Sequence, residues 1–171
     1  MEIWDIYDEN RVKTGRFHER GKTMMDGDYH LVVHVWIMNG KGEFLIQKRQ
    51  PWKKGHPNMW DCSAAGSAIC GDNSEQAAIR ETKEEIGIDL DIFNGEVLFT
   101  HYFSHGFDDI WLVNQEVDVK DLKLQEEEVA DAKWASEEQI KEMVTNGEFI
   151  AFEYLDRFFE LARAKYIHSG K

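Results

Sequence analysis

The spacing of apolar residues changes along the chain, and the change predicts a mixture of strands and helices. His30–Met38 (HLVVHVWIM) is rich in β-branched and aromatic side chains, which predicts a strand. The segment NGKG at 39–42 predicts a turn into a second strand at 43–49. Near the other end, apolar residues recur at helical spacing over about 152–165, which predicts a C-terminal amphipathic helix.

Shorter segments of the same kinds predict the rest of a single α/β (α+β) domain. A hairpin is expected at 3–15, followed by a polar loop at 16–29. Ser136 begins a capping box that predicts a further helix, and residues 105–109 are expected to be a turn between paired strands. The remaining predicted strands lie at 60–65, 96–104, 110–119 and 129–134.

Residues 66–88 predict a turn followed by one helix with a chemical pattern. Asn73 or Ser74 can cap this helix, and Gly87 favours the left-handed conformation that ends it. At a rotation of about 100° per residue, one edge carries three carboxylates, those of Glu81, Glu84 and Glu85. A second edge, about 120° away by the same geometry, can pack on the core and carries Ile79, Thr82 and Ile86 with Ala78.

Like charges on one edge of a helix repel, and a hard divalent cation of the magnesium type would relieve that repulsion. Acidic helix edges are also common on protein surfaces. The spacing taken alone therefore favours a solvated face.

The same segment resembles the signature of the Nudix hydrolases, G-x5-E-x7-R-E-U-x-E-E-x-G-U, in which U is aliphatic. Two positions differ, since Asp72 stands in place of Glu and Thr82 in place of an aliphatic residue. A motif of this length is specific. The resemblance implies a mixed β-sheet sandwiched between α-helices, in one domain spanning residues 1–171. The positions that agree in register are Gly66, Arg80, Glu81, Glu84, Glu85, Gly87 and Ile88.

The resemblance also implies a site for Mg²⁺, with Mn²⁺ as a substitute. Arg80 would orient a carboxylate, and the acidic run at 126–128 would supply a further ligand, Glu128, although a solvated acidic loop is an equal alternative. Catalysis is assigned to Glu84, Glu85 and Arg80, and the sequence leaves open which glutamate is the general base. The implied metal ligands are the carbonyl of Gly66 and the carboxylates of Glu81, Glu84 and Glu85.

The expected substrate is a small molecule that contains a diphosphate. Arg49 and Lys53 form a basic concentration near the signature and would grip a phosphate, unless they belong to an ordinary surface loop. His30 and His101 are also predicted to contact the substrate, His101 as part of the hairpin at 101–109 that is expected to set specificity, although pairs such as His30 and His34 are more often structural.

Aromatic residues near these segments are candidates for stacking on a flat group of the substrate. They are Trp52, Phe107 and Trp60, and core packing is the favoured role for Trp60. Cys62 and Cys70 are expected to be buried.

Outside the signature, the N-terminal half resembles the isopentenyl-diphosphate isomerases and related hydrolases. The shared features include Thr14-Gly15, LIQKR and KKGHPNMWD, and they raise isomerisation as a rival function. The cysteine and histidine that an isomerase carries around the signature glycine are here Ala65 and Ser67, which disfavours it. A non-catalytic nucleotide- or diphosphate-binding module is a third alternative, and the complete glutamate trio argues against it.

Composition narrows the classes further. The formal net charge of the 171 residues is −13, which argues against a nucleic-acid polymer as partner. No segment is long and apolar enough to predict a membrane span, and the acidic start predicts no leader peptide. Two cysteines fit a reducing cytoplasm, so a cytoplasmic location is expected. The resemblance is compatible with a homodimer, for which the sequence identifies no interface.

Overall fold

The computed structural model describes residues 1–169, with side chains through Tyr166. Its helices are α1 (Ser74–Ile86), α2 (Glu137–Thr145) and α3 (Leu155–Ser169). Short 3₁₀ turns occur at Ile92–Asn94 and Val119–Asp121. The strands are β1 (Ile3–Tyr7), β2 (Lys13–Glu19), β3 (His30–Met38), β4 (Phe44–Arg49), β5 (Trp60–Asp61), β6 (Ala64–Ser67), β7 (Gly95–Phe103), β8 (Gly106–Asn114) and β9 (Val129–Ala135).

Strands β1 and β2 form an antiparallel hairpin, and β3 to β9 form one mixed sheet. The main path of that sheet is β5-β4-β3-β8-β7, with β6 paired to β3 and β9 paired to β4. β3 and β8 run parallel, whereas the other pairs are antiparallel. Ser63 lies where β3 and β4 separate: its hydroxyl accepts from Ile37 N at 2.9 Å and donates to Leu45 O at 2.5 Å.

The sheet separates two apolar cores, because alternate residues of β3 face opposite sides. Val33 and Val35 are fully buried in the core that contains Ala77 of α1. Trp36 lies in the other core, where its ring stacks on Phe158 of α3 with centroids 4.4 Å apart. Helices therefore cover both faces of a mixed sheet, which confirms the expected fold class.

The ends of α1 confirm the sequence prediction and choose between its alternatives. Asn73 is the cap, because its side chain accepts from Gln76 N at 2.8 Å while Gln76 accepts from Asn73 N at 2.9 Å. Gly87 ends the helix at φ 75°, in the left-handed region that a Cβ disfavours.

The buried stripe of α1 is rotated from the expected position. Ile79 is 36% exposed, so its predicted place in the core is wrong. Glu85 lies inside the stripe instead, and the acidic and packing edges overlap. The small alanines let this face approach the sheet closely, which leaves Ile79 at its margin. The buried residues are Ala77, Ala78, Thr82, Glu85 and Ile86.

The hairpin that contains β8 differs from its prediction. Residues 105–109 were expected to form a turn, but the strand begins at Gly106 and the turn lies at 104–105. Phe107 is fully buried and stacks on Tyr29 at 5.3 Å, so its predicted contact with a substrate is wrong. β8 pairs with β3 on one edge and β7 on the other, and its two faces are buried because each faces one of the two apolar cores.

Several boundaries also differ. β2 extends to Glu19, so the predicted hairpin at 3–15 is too short and the loop predicted from residue 16 begins too early. The C-terminal helix starts at Leu155 rather than 152. Cys62 is buried as expected, whereas Cys70 is exposed. Within residues 1–169, no helix combines the length and apolar character needed to cross a membrane.

Candidate active site

A cleft of about 400 Å³ opens beside β3, β6 and the second half of α1. Val32 and His34 of β3 contribute to its floor, opposite Ser67 and Ala65 of β6 in the strand register. Eight of the predicted site residues line this cleft. They are Arg49, Lys53, Gly66, Arg80, Glu81, Glu84, Glu85 and Glu128.

Gly66 is required where β6 passes the signature helix. A Cβ atom at this position would lie 2.2 Å from Cδ of Glu81, far inside van der Waals contact. The main chain of Gly66 and the carboxylate of Glu81 therefore share a space that a side chain would fill.

Arg80 organises the carboxylates of the signature. Its Nη1 donates to Glu81 Oε1 at 2.9 Å and to Glu84 Oε2 at 3.4 Å. Its Nε donates to Asp72 Oδ2 at 3.0 Å, and its Nη2 donates to the carbonyl of Ser67 at 3.0 Å. Asp72, the residue that departs from the signature, thus anchors Arg80.

Two of the glutamates, Glu81 and Glu85, are largely shielded from solvent. Burial raises the pKa of Glu81 to about 7, although the nearby Arg80 acts in the opposite direction. Burial also raises the pKa of Glu85 well above its ordinary value, and Gln47 donates a hydrogen bond to this carboxylate from β4. A cation near these groups would favour their ionised forms.

The acidic and basic loops at the mouth of the cleft are tied together. Lys53 forms an ion pair with Glu128. Gln50 donates from its main chain to Glu128 O at 3.0 Å and from its side chain to Glu126 O at 2.8 Å. Trp52, which is 65% exposed, donates to Glu127 O at 3.1 Å. These bonds place Glu128 beside the predicted phosphate-binding residues.

The sequence reasoning did not select Asp61 or His34 as site residues, yet both line the cleft. Asp61 is 4% exposed, and its Oδ2 accepts from Arg49 Nη1 at 3.3 Å. Trp60, which precedes it, is buried as expected. The available signal for Asp61 was its place at the end of KKGHPNMWD, a segment that resembles the isomerase branch.

His30 and His101 do not line the cleft. His30 stacks on Trp4 of β1, with centroids 4.1 Å apart and planes 10° apart. The Nε2 of His101 lies 3.9 Å from Glu153 Oε2, and the His101 ring is tilted against the Tyr154 ring with centroids 5.9 Å apart. The structure thus separates these two histidines from the other predicted site residues.

The donors present fit a hard cation such as Mg²⁺. The candidate ligands are oxygen atoms, and Gly66 leaves room beside Glu81 that a Cβ would take. The carboxylates among them already have protein partners. Arg80 bonds Glu81, Gln47 bonds Glu85, and Lys53 pairs with Glu128. No three side chains of His, Cys, Asp or Glu are gathered as a metal-binding group in the described part of the chain.

Comparison with known proteins decides the family. The NUDIX domain model matches residues 28–158. The chain belongs to the Nudix family. A Nudix hydrolase of Listeria monocytogenes, lmo0368, is 48% identical over 168 residues, which cover 98% of this chain and 99% of that protein. The crystal structure of DR0079 from Deinococcus radiodurans superposes with a TM-score of 0.75 at 21% identity, covering 95% and 98% of the two chains.

A weaker similarity connects this Nudix hydrolase to an isomerase. The isopentenyl-diphosphate Delta-isomerase of Escherichia coli K12 is 28% identical over 130 residues, covering 72% of this chain and 70% of that enzyme. The isomerase cysteine corresponds to Ala65 here, and Cys62 lies three residues before it. Cys62 is fully buried and does not line the cleft, and its thiol donates to Ala64 O at 3.3 Å. Burial raises the pKa of this thiol well above its ordinary value.

Proposed function

We propose that this Nudix hydrolase cleaves the diphosphate linkage of a nucleoside-diphosphate-linked or other small diphosphate compound, in a reaction that requires Mg²⁺. The observation that carries the proposal is the Arg80-bonded set of Glu81 and Glu84, which shares one cleft with the basic pair Arg49 and Lys53. Cleaving a diphosphate requires both neutralisation of its charge and an activated water.

The residues that would hold the metal are the carbonyl of Gly66 and the carboxylates of Glu81, Glu84, Glu85 and Glu128. When bound, Mg²⁺ supplies charge neutralisation and lowers the pKa of a coordinated water. Nudix enzymes generally use a divalent metal of this kind, and Mn²⁺ has compatible oxygen-ligand chemistry.

The chain's own residues bind and orient the diphosphate. Arg49 and Lys53 contact its phosphate oxygens after exchanging their present partners, Asp61 and Glu128. Arg80 keeps Glu81 and Glu84 in place, and a glutamate of the cleft accepts the proton of the attacking water. The hydrogen bonds from Gln50 to the carbonyls of Glu128 and Glu126 keep the two loops together while these contacts change.

A panel of diphosphates tests the reaction and its substrate together. The purified protein is incubated with Mg²⁺ and nucleoside di- and triphosphates, nucleotide sugars, dinucleotides, coenzyme A or isopentenyl diphosphate. Release of phosphate or nucleotide is measured with and without a chelator. We expect metal-dependent hydrolysis of one class. Formation of the allylic isomer from isopentenyl diphosphate would support isomerisation, and thermal stabilisation without turnover would support a binding module.

Variants of the glutamates test the site. Glu84→Gln and Glu85→Gln are each expected to lower kcat by orders of magnitude while the protein stays folded, because each removes a charged ligand. Glu75→Gln is the matched control, since Glu75 is exposed in the first turn of the same helix and does not line the cleft. Unchanged rates in both site variants would contradict the assignment.

Location and assembly complete the proposal. We place the enzyme in the cytoplasm, where its two free cysteines, Cys62 and Cys70, would remain reduced. A homodimer is proposed on the family resemblance, and light scattering of the purified protein would measure it.

A further inference from the structure

A buried polar cluster extends from the floor of the cleft into the protein and takes no part in the catalysis proposed above. The Nδ1 atom of His34 is 2.7 Å from the hydroxyl of Tyr154 and 3.2 Å from Oδ2 of Asp108. Tyr154 and Asp108 are each 5% exposed. Buried polar groups are costly unless they are paired, and Asp108 Oδ1 has no hydrogen-bond partner. The free-energy cost of burying this carboxyl group indicates that it serves a function.

The strand register explains how the cluster is assembled. β3 and β8 run in parallel with Val32 opposite Asp108 and His34 opposite Ile110. Asp108 and His34 therefore lie diagonally on one face of the sheet, two positions apart. Tyr154 reaches them from the segment just before α3.

The hydrogen-bond pattern favours the tautomer of His34 whose proton is on Nε2. Trp36 Nε1 can only donate, and it lies 3.3 Å from the Tyr154 hydroxyl oxygen. The hydroxyl hydrogen of Tyr154 is then available to donate to His34 Nδ1. Nδ1 acts as an acceptor, and the hydrogen of the neutral ring is on Nε2.

The protonation of the surrounding groups supports this tautomer. Burial raises the pKa of Asp108 to about 8, and the charges of Asp109 and Asp61 act in the same direction. Burial lowers the pKa of His34 to about 4. At neutral pH, Asp108 is protonated and His34 is uncharged, so no carboxylate anion beside Nδ1 holds a hydrogen on that nitrogen.

The other ring nitrogen is available to the cleft. His34 lines the cleft, and no group in residues 1–166 bonds to its Nε2. The ring of Phe152 lies beside it with centroids 4.8 Å apart, and Phe152 stacks on Tyr154 at 5.1 Å and 11°. Ala65, opposite His34 in the register, adds only a methyl group to the floor. A neutral N–H donor thus stands next to a flat apolar wall.

We propose that His34 and Phe152 form a subsite for a sugar ring attached to the diphosphate. The Nε2–H of His34 donates to a ring or hydroxyl oxygen, and the ring of Phe152 packs against the C–H face of the sugar. Tyr154 and Asp108 are positioning residues that hold the imidazole in the required tautomer. This assignment rests on the proposed function, and it adds the chemical class of the substrate.

Kinetics with three probes test the substrate class. UDP-glucose and ADP-ribose carry sugars on the diphosphate, whereas methyl diphosphate does not. His34→Leu is expected to lower kcat/KM for the sugar-bearing probes about tenfold, mainly through KM, because one hydrogen bond is lost. The rate with methyl diphosphate is expected to change less than twofold. His34→Gln, which keeps an N–H donor, is expected to recover most of the loss. Equal losses with all probes, or no loss with the sugars, would overturn the proposal.

Binding without turnover separates this proposal from the proposed function. Titration calorimetry with ADP-ribose in the presence of a chelator is expected to show a Kd about tenfold weaker for His34→Leu than for the wild type. That difference would support the subsite even if no probe is hydrolysed, an outcome that would contradict the proposed function alone. Equal affinities, or no binding of ADP-ribose either with the chelator or with Mg²⁺, would overturn the subsite. Hydrolysis of methyl diphosphate without hydrolysis of either sugar nucleotide would also overturn it.

Nitrogen NMR tests the positioning roles. In protein labelled with ¹⁵N-histidine, His34 is expected to show the spectrum of the Nε2-protonated tautomer at neutral pH. Tyr154→Phe is expected to increase the Nδ1-protonated form and to raise the Kd for ADP-ribose. Tyr102→Phe is the matched control, because Tyr102 is 57% exposed and lies outside the cluster. An Nδ1-protonated His34 in the wild type would overturn the assignment.

Discussion

Asp72 and Arg80 form an ion pair in which Arg80 Nε lies 3.0 Å from Asp72 Oδ2. Asp72 occupies the signature position where a glutamate is usual, and its shorter side chain still reaches the guanidinium. Arg80 in turn bonds Glu81 and Glu84, so the departure from the signature preserves the orientation of the acidic set. Asp72 acts through Arg80, since it does not line the cleft.

Changing Asp72 therefore tests the positioning of Arg80. Asp72→Ala is expected to lower kcat about 10- to 100-fold, because a charge-assisted hydrogen bond is worth roughly 1.5–3 kcal/mol. Asp72→Glu restores the carboxylate and is expected to keep activity within a few-fold of the wild type. Steady-state kinetics measure both variants, and a thermal melt checks that they fold. Full activity of Asp72→Ala would show that Arg80 is held without it.

Gly66 offers a steric test of the same site. Gly66→Ala places a methyl group 2.2 Å from Cδ of Glu81, whose side chain is 13% exposed and held by Arg80. The displacement is expected to cost about 1–3 kcal/mol of stability and to reduce activity strongly. Gly55→Ala is the control, because a Cβ there meets nothing within 4 Å and its φ is not positive. Melting curves and kinetics compare the two, and equal behaviour would contradict the crowding at Gly66.

Metal binding is expected to release protons. Burial raises the pKa of Glu81 to about 7 and that of Glu85 well above its ordinary value, so both carboxyls hold protons at pH 6. A cation binds the ionised forms and displaces those protons, so Mg²⁺ affinity should rise with pH through about 7. Calorimetry at pH 6 in buffers of different ionisation enthalpy measures the release. Heats that do not depend on the buffer would contradict it, and Glu81→Gln should release fewer protons.

The ion pair between Arg11 and Asp109 gives a pH-dependent test of stability. Burial alone would raise the pKa of Asp109, but hydrogen bonds from Arg11, Ser74 and Thr100 outweigh it and the net pKa is lowered. When the pKa of a carboxyl group is lower in the folded state than in the unfolded state, the group stabilises the fold at pH values above its unfolded-state pKa, which is near 3.9. That stabilisation is lost as the pH falls through the folded value.

Asp109→Asn is accordingly expected to lower the free energy of unfolding at pH 7 by about 2 kcal/mol, because Arg11 loses its charged partner. The difference from the wild type should shrink below pH 4. Denaturant titrations over this pH range measure it. Asp26→Asn, at an exposed aspartate, is the control and should change little. A constant difference at every pH would show that charge is not the cause.

The features that could be predicted from the sequence are those that depend on local interactions. Asn73 and Gln76 cap α1 reciprocally across three residues, Gly87 ends it, and β3 has the predicted bounds, because each depends on neighbouring residues. The glutamate spacing put Glu81, Glu84 and Glu85 on one edge of α1, the resemblance to the Nudix signature implied that they share a site, and all three line the cleft. The position of Ile79 could not be obtained this way, since the approach of α1 to the sheet selected a different buried face.

Long-range pairing decided the rest. His34 and Asp108 meet only because β3 and β8 pair in parallel, and Asp61 reaches Arg49 only through the pairing of β4 with β5. A strand pattern states which residues alternate but not which strand lies beside it or in which register. The sequence by itself determined the acidic helix and its ends. Tertiary structure alone decided which buried polar residues stand behind the cleft, because that depends on contacts between segments far apart in the chain.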